Sequence, residues 1–371
     1  MTPRTRTIGI VISIAGTVLV TAVGAGVWHH GGQAAPASTS ATVLTPVASI
    51  ALPGDTSRYD YASLDPDRHL LFIAHLGAGQ ILQIDTVARR VVRVIDHVDG
   101  VHGVLVVPSL RRVFATATDL NQVLTLDEDT GAVLGRAPTG AYPDGLAYDP
   151  TRNQVWVTNE SGGTQTVLDP ATQAVLATVD VGGDAGNVAY DPGPSTPAGI
   201  GPGAPTQGGT STPATGGPGQ ILVDVQSRNE VAVIDPDTHT VTRRVPVPGC
   251  QHPHGLTLDP GHRLGFIACD GNATVHTLDL DTLQVRDPVE VGADPDVLAF
   301  DHTTGWLYVA AESGTLTVLA EHDRHLQLLS RSALTDGAHV VAVDPATHDS
   351  YYPLAAGPGG HPELLIEHPS P

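Results

Sequence analysis

The stretch CQHPHGLTLDP, residues 250–260, places one cysteine and two histidines within five positions beside an apolar run. Thiolate and imidazole side chains build transition-metal sites, nucleophile–base pairs and redox centres. The spacings narrow that choice. The chain holds no C-x-x-C redox pair and no C-x-x-C-H haem attachment, and its second cysteine is Cys269,. G-x-S-x-G, H-E-x-x-H and G-x-x-x-x-G-K-[ST] are also absent, which removes the serine elbow, the zincin helix and the nucleotide loop,. Neither haem nor nucleotide is expected.

His254 belongs to a series. Asp60 precedes YASLDP, His102 precedes GVLVVP, Asp144 precedes GLAYDP and Gly186 precedes NVAYDP. The series continues with His254 before GLTLDP, Asp296 before VLAFD and His339 before VVAVDP, at spacings of 42, 42, 42, 68, 42 and 43. Chance placement of 18 histidines and 39 acidic residues would give these seven positions less than one of each, yet three histidines and three aspartates occupy them. Imidazole with carboxylate is a donor set for Zn2+, Cu2+, Ni2+, Mn2+ or Fe2+ more than for Ca2+ alone. The metal-ligand candidates are therefore His102, His254, His339, Asp60, Asp144 and Asp296. Beside an ion, any of the three histidines is also a candidate general base for a metal-assisted lyase or hydrolase. The plainer alternatives are a small organic ligand, or a water-filled opening where Asp and His hydrogen-bond one another.

What positions these residues is a repeat. Residues 142–183 contain four short β-like runs, at 145–148, 154–158, 164–168 and 174–181, separated by Asp-Pro and Ser-Gly-Gly turns,. Seven such units of about 42 residues predict an all-β, seven-bladed β-propeller. Each recurring Asp or His then stands at the start of an innermost strand, at the mouth of the central channel. The last unit ends at PELLIEHPSP and lacks a fourth strand, while VLTPVASIAL (43–52) precedes the first unit and reads as one. An N-terminal strand completing the last blade would close the ring and remove two exposed edges. The long spacing is explained by a Pro/Gly/Thr-rich insert at 193–219, expected as a surface loop between the first two strands of the fourth blade,.

The segments VWVTNE (155–160) and VLDPATQAVLATV resemble the YVTN-repeat (YncE-like) family, a group of exported seven-bladed propellers. The resemblance covers about residues 43–371. It implies the fold and export but no single activity, because propellers host lyases, lactonases, electron-transfer partners and binders. Some relatives bind single-stranded DNA. This chain departs from them, with a formal charge of −21, three tryptophans and arginine as its only basic residue besides histidine. Nucleic-acid binding, which rests on neutralising phosphates, is not expected, and the lack of lysine excludes Schiff-base chemistry.

The repeat also sorts the remaining polar residues. Asp65, Asp149, Asp191, Asp259 and Asp344 precede the first turn of their units, and Asp85, Asp127, Asp169, Asp235 and Asp279 end the third strands. Such aspartates accept backbone N–H bonds in the turns. A second set (His75, Asn159, Glu160, Cys269, Asp270 and Glu312) follows the second strands and is expected to widen the mouth or to stand in solvated loops. An exported chain with two cysteines usually pairs them, so a Cys250–Cys269 disulfide is expected, with free thiols or metal thiolates as alternatives.

Residues 1–37 read as a signal peptide or an uncleaved membrane anchor. Arg4 and Arg6 precede an apolar run from Ile8 to Trp28, and Ala35-Pro36-Ala37 offers a cleavage site,. Residues 38–42 read as a spacer and 43–371 as the propeller. The expected protein is extracytoplasmic, touches the membrane only through an uncleaved N-terminal segment, and binds a metal ion or small ligand at the Asp/His ring. The alternatives are the metal-assisted enzyme and a scaffold for another exported protein.

Overall fold

The computed structural model describes residues 43–194, 219–286 and 288–370. The N-terminal signal or anchor, the spacer and residues 195–218 of the insert lie outside the described residues. The chain opens with β1 (Leu44–Ala51). The first blade follows as β2 (Ala62–Asp65), β3 (Leu70–His75), β4 (Gln80–Asp85) and β5 (Arg90–Ile95). The second comprises β6 (Val101–Val107), β7 (Arg112–Ala117), β8 (Gln122–Asp127) and β9 (Val133–Pro138). The third runs through β10 (Pro143–Asp149), β11 (Gln154–Asn159), β12 (Thr164–Leu168) and β13 (Val175–Asp180). The fourth is β14 (Ala185–Asp191), β15 (Gln220–Val225), β16 (Glu230–Asp235) and β17 (Thr240–Pro246), with the insert between β14 and β15. The fifth contains β18 (Pro253–Asp259), β19 (Leu264–Cys269), β20 (Thr274–Asp279) and β21 (Val289–Glu290). The sixth contains β22 (Pro295–Asp301), β23 (Trp306–Ala311), β24 (Thr315–His322) and β25 (His325–Ala333). The last is β26 (Ala342–Val343), β27 (Ser350–Leu354) and β28 (Glu363–Pro369), completed by β1.

These are seven four-stranded antiparallel sheets, and the first strand of each packs on the first strand of the next, with β26 returning to β2. The molecule is a seven-bladed β-propeller. Pairing of β1 with β28, from Leu44↔Pro369 to Ala51↔Glu363, closes the ring as the sequence predicts.

The turns and the core follow from the repeat. All ten turn aspartates accept backbone N–H bonds, as Asp149 does from Thr151 and Arg152, and Asp169 from Ala171 and Thr172. The second strand of each blade is sandwiched between neighbouring blades and is buried almost throughout, whereas the outermost strands alternate. The aromatic content is only 4%, yet Phe72, Phe114, Trp156, Phe266 and Tyr308 all occupy the third residue of a second strand and are essentially fully buried. Large rings concentrated there fill the wedge between blades, the position of greatest apolar return per residue. Ile50 does the equivalent for the closing strand, packing with Leu52, Leu364 and Ile366. Ile50→Ala is expected to lower the unfolding free energy by about 2–4 kcal/mol in a denaturant titration. An unchanged midpoint would mean that β1 does not hold the ring shut.

Candidate functional site

In five blades the ladder between first and second strands slips at the same place. Pairing runs Val101↔Ala117 then Val104↔Ala115 in the second blade, and Pro143↔Asn159 then Leu146↔Val157 in the third. The fourth, fifth and sixth blades slip likewise at Ala185/Val188, Pro253/Leu256 and Pro295/Leu298. Each slip is a β-bulge that contains the recurring residue: His102, Asp144, Gly186, His254 or Asp296. A bulge re-aims side chains that regular pleating would point to the two faces of the sheet. Here it directs them toward the channel axis.

Asp60, His102, Asp144, His254 and Asp296 line one cavity of about 380 Å3 together with Arg58, Tyr61, Tyr142, Glu160, Gln226 and Glu312. His339 is fully buried directly behind Asp60 and Asp296. Its Nε2 lies 3.9 Å from Asp60 Oδ1 and 3.6 Å from Asp296 Oδ2. One donor atom from each of Asp60, Asp296 and His339 falls within 4.8 Å of the others. His254 Nε2 sits 3.3 Å from Asp296 Oδ1 and 3.9 Å from Asp144 Oδ2, while Gln226 Nε2 meets its Nδ1 at 3.0 Å. His102 stands apart. Its Nδ1 donates to Gly100 O at 2.9 Å, and its Nε2 accepts from the Tyr142 hydroxyl at 3.1 Å.

Three buried carboxylates in one space cannot all ionise freely. Burial, reinforced by Asp296, raises Asp60, and burial lifts Asp144 well above the ordinary carboxylate range. Burial would raise Asp296 too, but protonated His254, His339 when it too is protonated, and Arg58 hold it down at about 2. Burial opposes a charged His254, yet Asp296 and then Asp144 outweigh it and carry the imidazole up to about 10. Asp296 therefore holds a proton on Nε2 firmly, and His254 is a poor general base.

The floor of the cavity is a single side chain. Tyr61 crosses from the first blade to the fourth, donating to Asn187 Oδ1 at 3.0 Å, with its hydroxyl 3.4 Å from His254 Nε2. It lines both the mouth cavity and a second cavity of about 310 Å3 in the channel below. Tyr61, Asn187, Arg58, Gln226 and Tyr142 were not singled out by the sequence reading. The first two directly follow Asp60 and Gly186, and Arg58 and Tyr142 stand two residues before Asp60 and Asp144. Lining up the positions flanking each recurring residue would have exposed all but Gln226.

The second set divides. Glu160, Asp270 and Glu312 line the mouth, but His75, Asn159 and Cys269 are fully buried elsewhere and do not widen it. His75 stacks on Tyr59 at 4.2 Å between ring centroids, and its Nε2 meets Ser57 Oγ at 3.1 Å. Ser57 donates to Asp55 instead of to the imidazole, so this grouping is not wired as a Ser-His-Asp triad,. Asn159 accepts from Gly140 N and donates to Thr164 and Thr166. Cys250 and Cys269 form the expected disulfide, with Cα atoms 5.5 Å apart, which ties down the loop leading to His254. The nearby His276 could complete a Cys2His set, but both sulfurs are spent in that bond. On the opposite face, His262 approaches Asp259 and Glu321. Its 2.6 Å contact with Asp259 repeats the i,i+3 pair that Arg152 makes with Asp149.

No family model matches this sequence, and no curated protein matches it.

His254 gives a pH signature. Its folded pKa lies above the ordinary imidazole value, so its contribution is fully present below about 6.5 and is lost as pH rises through about 10,. In chelator-treated protein, stability measured by denaturant titration should fall across that window, and His254→Gln should flatten the fall. Parallel profiles for the two proteins would remove the His254–Asp296 ion pair from the account.

Proposed function

We propose that this chain is an extracytoplasmic β-propeller of the YVTN-repeat (YncE-like) type that binds a divalent transition-metal ion at the mouth of its channel. The family and export rest on the VWVTNE unit and on the N-terminal apolar segment, and the buried disulfide is compatible with an oxidising compartment,. No helix among the described residues is long and apolar enough to cross a membrane.

One observation carries the metal reading: the convergence of Asp60, Asp296 and His339. His339 Nδ1 lies 2.8 Å from Gly337 O, which only accepts, so Nδ1 bears the hydrogen,. In the neutral ring Nε2 is then a lone pair, buried without a hydrogen-bond partner and facing two carboxylates. Acceptors that face one another need a cation between them, a proton or a metal. Atoms bound about 2.1 Å from one tetrahedral ion stand roughly 3.4 Å apart, so the observed 3.6 and 3.9 Å need only a small inward shift. One imidazole with two carboxylates suits Zn2+, Mn2+, Fe2+, Ni2+ or Cu2+.

Among the remaining candidates, His254 lies between Asp296 and Asp144 and contacts both, and His102 lies outside the convergent set. The lyase or hydrolase alternative needs a free imidazole lone pair next to the ion. His102 Nε2 accepts from Tyr142, and both ring nitrogens of His254 are engaged, Nε2 with Asp296 and Nδ1 with Gln226. The binding reading is therefore the better supported one.

The test is elemental analysis of untagged protein, followed by competition titration with Zn2+. Asp60→Asn and His339→Ala should each weaken Zn2+ binding at least about tenfold, while His102→Ala should change it little. A protein that takes up no stoichiometric transition metal, or an Asp60→Asn variant with wild-type affinity, would contradict the reading.

A further inference from the structure

The metal reading leaves Arg58 unexplained. It is the only arginine among the described residues lining the mouth, in a chain without lysine, and it stands in a cavity otherwise dominated by carboxylates. Its guanidinium spans two blades: Nε is 3.5 Å from Asp60 Oδ2, one Nη is 3.7 Å from Asp296 Oδ2, and the other Nη is 2.6 Å from Glu312 Oε1. Asp296 Oδ2 is also the oxygen 3.6 Å from His339 Nε2. Arginine and an incoming ion thus compete for the same two carboxylates, and for Asp296 they compete for the same oxygen.

The contacts are unequal in a way that suits displacement. The bond to Glu312 is short, and both partners are about two-fifths exposed, whereas the distances to the buried Asp60 and Asp296 exceed ordinary hydrogen-bond length,. A guanidinium is planar and cannot sit between three convergent donor atoms, so it compensates their charge from the solvent side. Swinging out, it keeps its strongest partner at the rim.

We infer that Arg58 is the resident counter-cation of the Asp60–Asp296–His339 site and sets its selectivity: only a divalent ion that bonds strongly to imidazole displaces it, while Mg2+ and Ca2+ are turned away. The inference rests on the metal reading above. Oxygen-seeking ions gain little from His339 and would have to win on charge alone against a cation already in place. An ion that bonds to nitrogen collects His339 as an additional ligand that arginine cannot use. Glu312 is the parking place that keeps the exchange reversible.

Zn2+ and Mg2+ titrations of the untagged full propeller test this, with Arg58→Gln, Arg58→Lys and Glu312→Gln compared against wild type. Removing a unit charge within 4 Å of two ligand carboxylates should tighten Zn2+ binding at least about tenfold and should make Mg2+ binding measurable. Arg58→Lys, which keeps the charge without the fork, should fall between the two. Glu312→Gln should weaken Zn2+ binding, and this effect should vanish in an Arg58→Gln background. Zn2+-induced shifts of the thermal midpoint, recorded in parallel, confirm that each variant is folded and should be largest for Arg58→Gln. Equal or weaker Zn2+ affinity in a folded Arg58→Gln variant overturns the role of Arg58 while leaving the metal site standing. Failure of both wild type and Arg58→Gln to bind Zn2+ overturns the metal reading, and this inference with it.

Discussion

The bulge at the start of five inner strands is the constraint on which most of the mouth depends: it aims His102, Asp144, His254 and Asp296, while Asp60 and His339 enter from the segments just before β2 and β26. A regular antiparallel pair would alternate its side chains into the two blade interfaces and send none along the axis. With one extra residue in the inner strand, the recurring Asp or His faces the channel and the residue after it is pressed against the neighbouring inner strand. Gly103 and Gly255 show how closely: a Cβ at either position would come within about 2.2 Å of the carbonyl oxygen of Asp144 or Asp296. These glycines are required by the approach of the next strand, and that approach brings the ionisable residues of successive blades together. At the same position of the first blade stands Tyr61, which reaches across the channel to Asn187 and closes the cavity from below.

Given that geometry, the electrostatics follow. Carboxylates and imidazoles from separate blades meet largely buried at the mouth, and each sets the charge of the next. Asp296 is the hinge of the network. It is shared by His254, His339 and Arg58, and of the three ring aspartates it is the one whose charged form is favoured. Asp60 and Asp144 are pushed toward their neutral forms by burial, and a cation close by favours their charged forms,. The propeller pre-assembles ligands whose mutual repulsion is relieved by an ion, and the closed ring prevents the blades from moving apart to relieve it otherwise.

Much of this was legible in the sequence because the repeat is a spacing signal. Seven recurrences of a short apolar motif, five of them ending in Asp-Pro, marked the blade count, the closing strand and the mouth residues, and the ten turn aspartates fell into structural roles. The disulfide followed from compartment and placement. Other parts do not repeat. Arg58 and Tyr61 occur once each: other blades carry Gly, Tyr, Asp or His at the first position and Gly, Asn or Val at the second, so the recurring motif does not contain them. Gln226 reaches His254 from the end of a second strand of another blade, a contact that no spacing encodes. His75 and Asn159 misled in the opposite direction. They sit where the repeat predicts the mouth, but their side chains turn into the blade body, where Tyr59, Thr164 and Thr166 hold them. The sequence also treated the six ionisable residues as equivalent, whereas only Asp60, Asp296 and His339 converge.

The most direct measurement is anomalous diffraction, above and below the zinc absorption edge, from crystals of untagged protein equilibrated with Zn2+. The account predicts a single strong peak about 2 Å from Asp60, Asp296 and His339, with the Arg58 guanidinium moved toward Glu312. Absence of a peak at the mouth, or a peak only at His262, Asp259 and Glu321 on the opposite face, would contradict it.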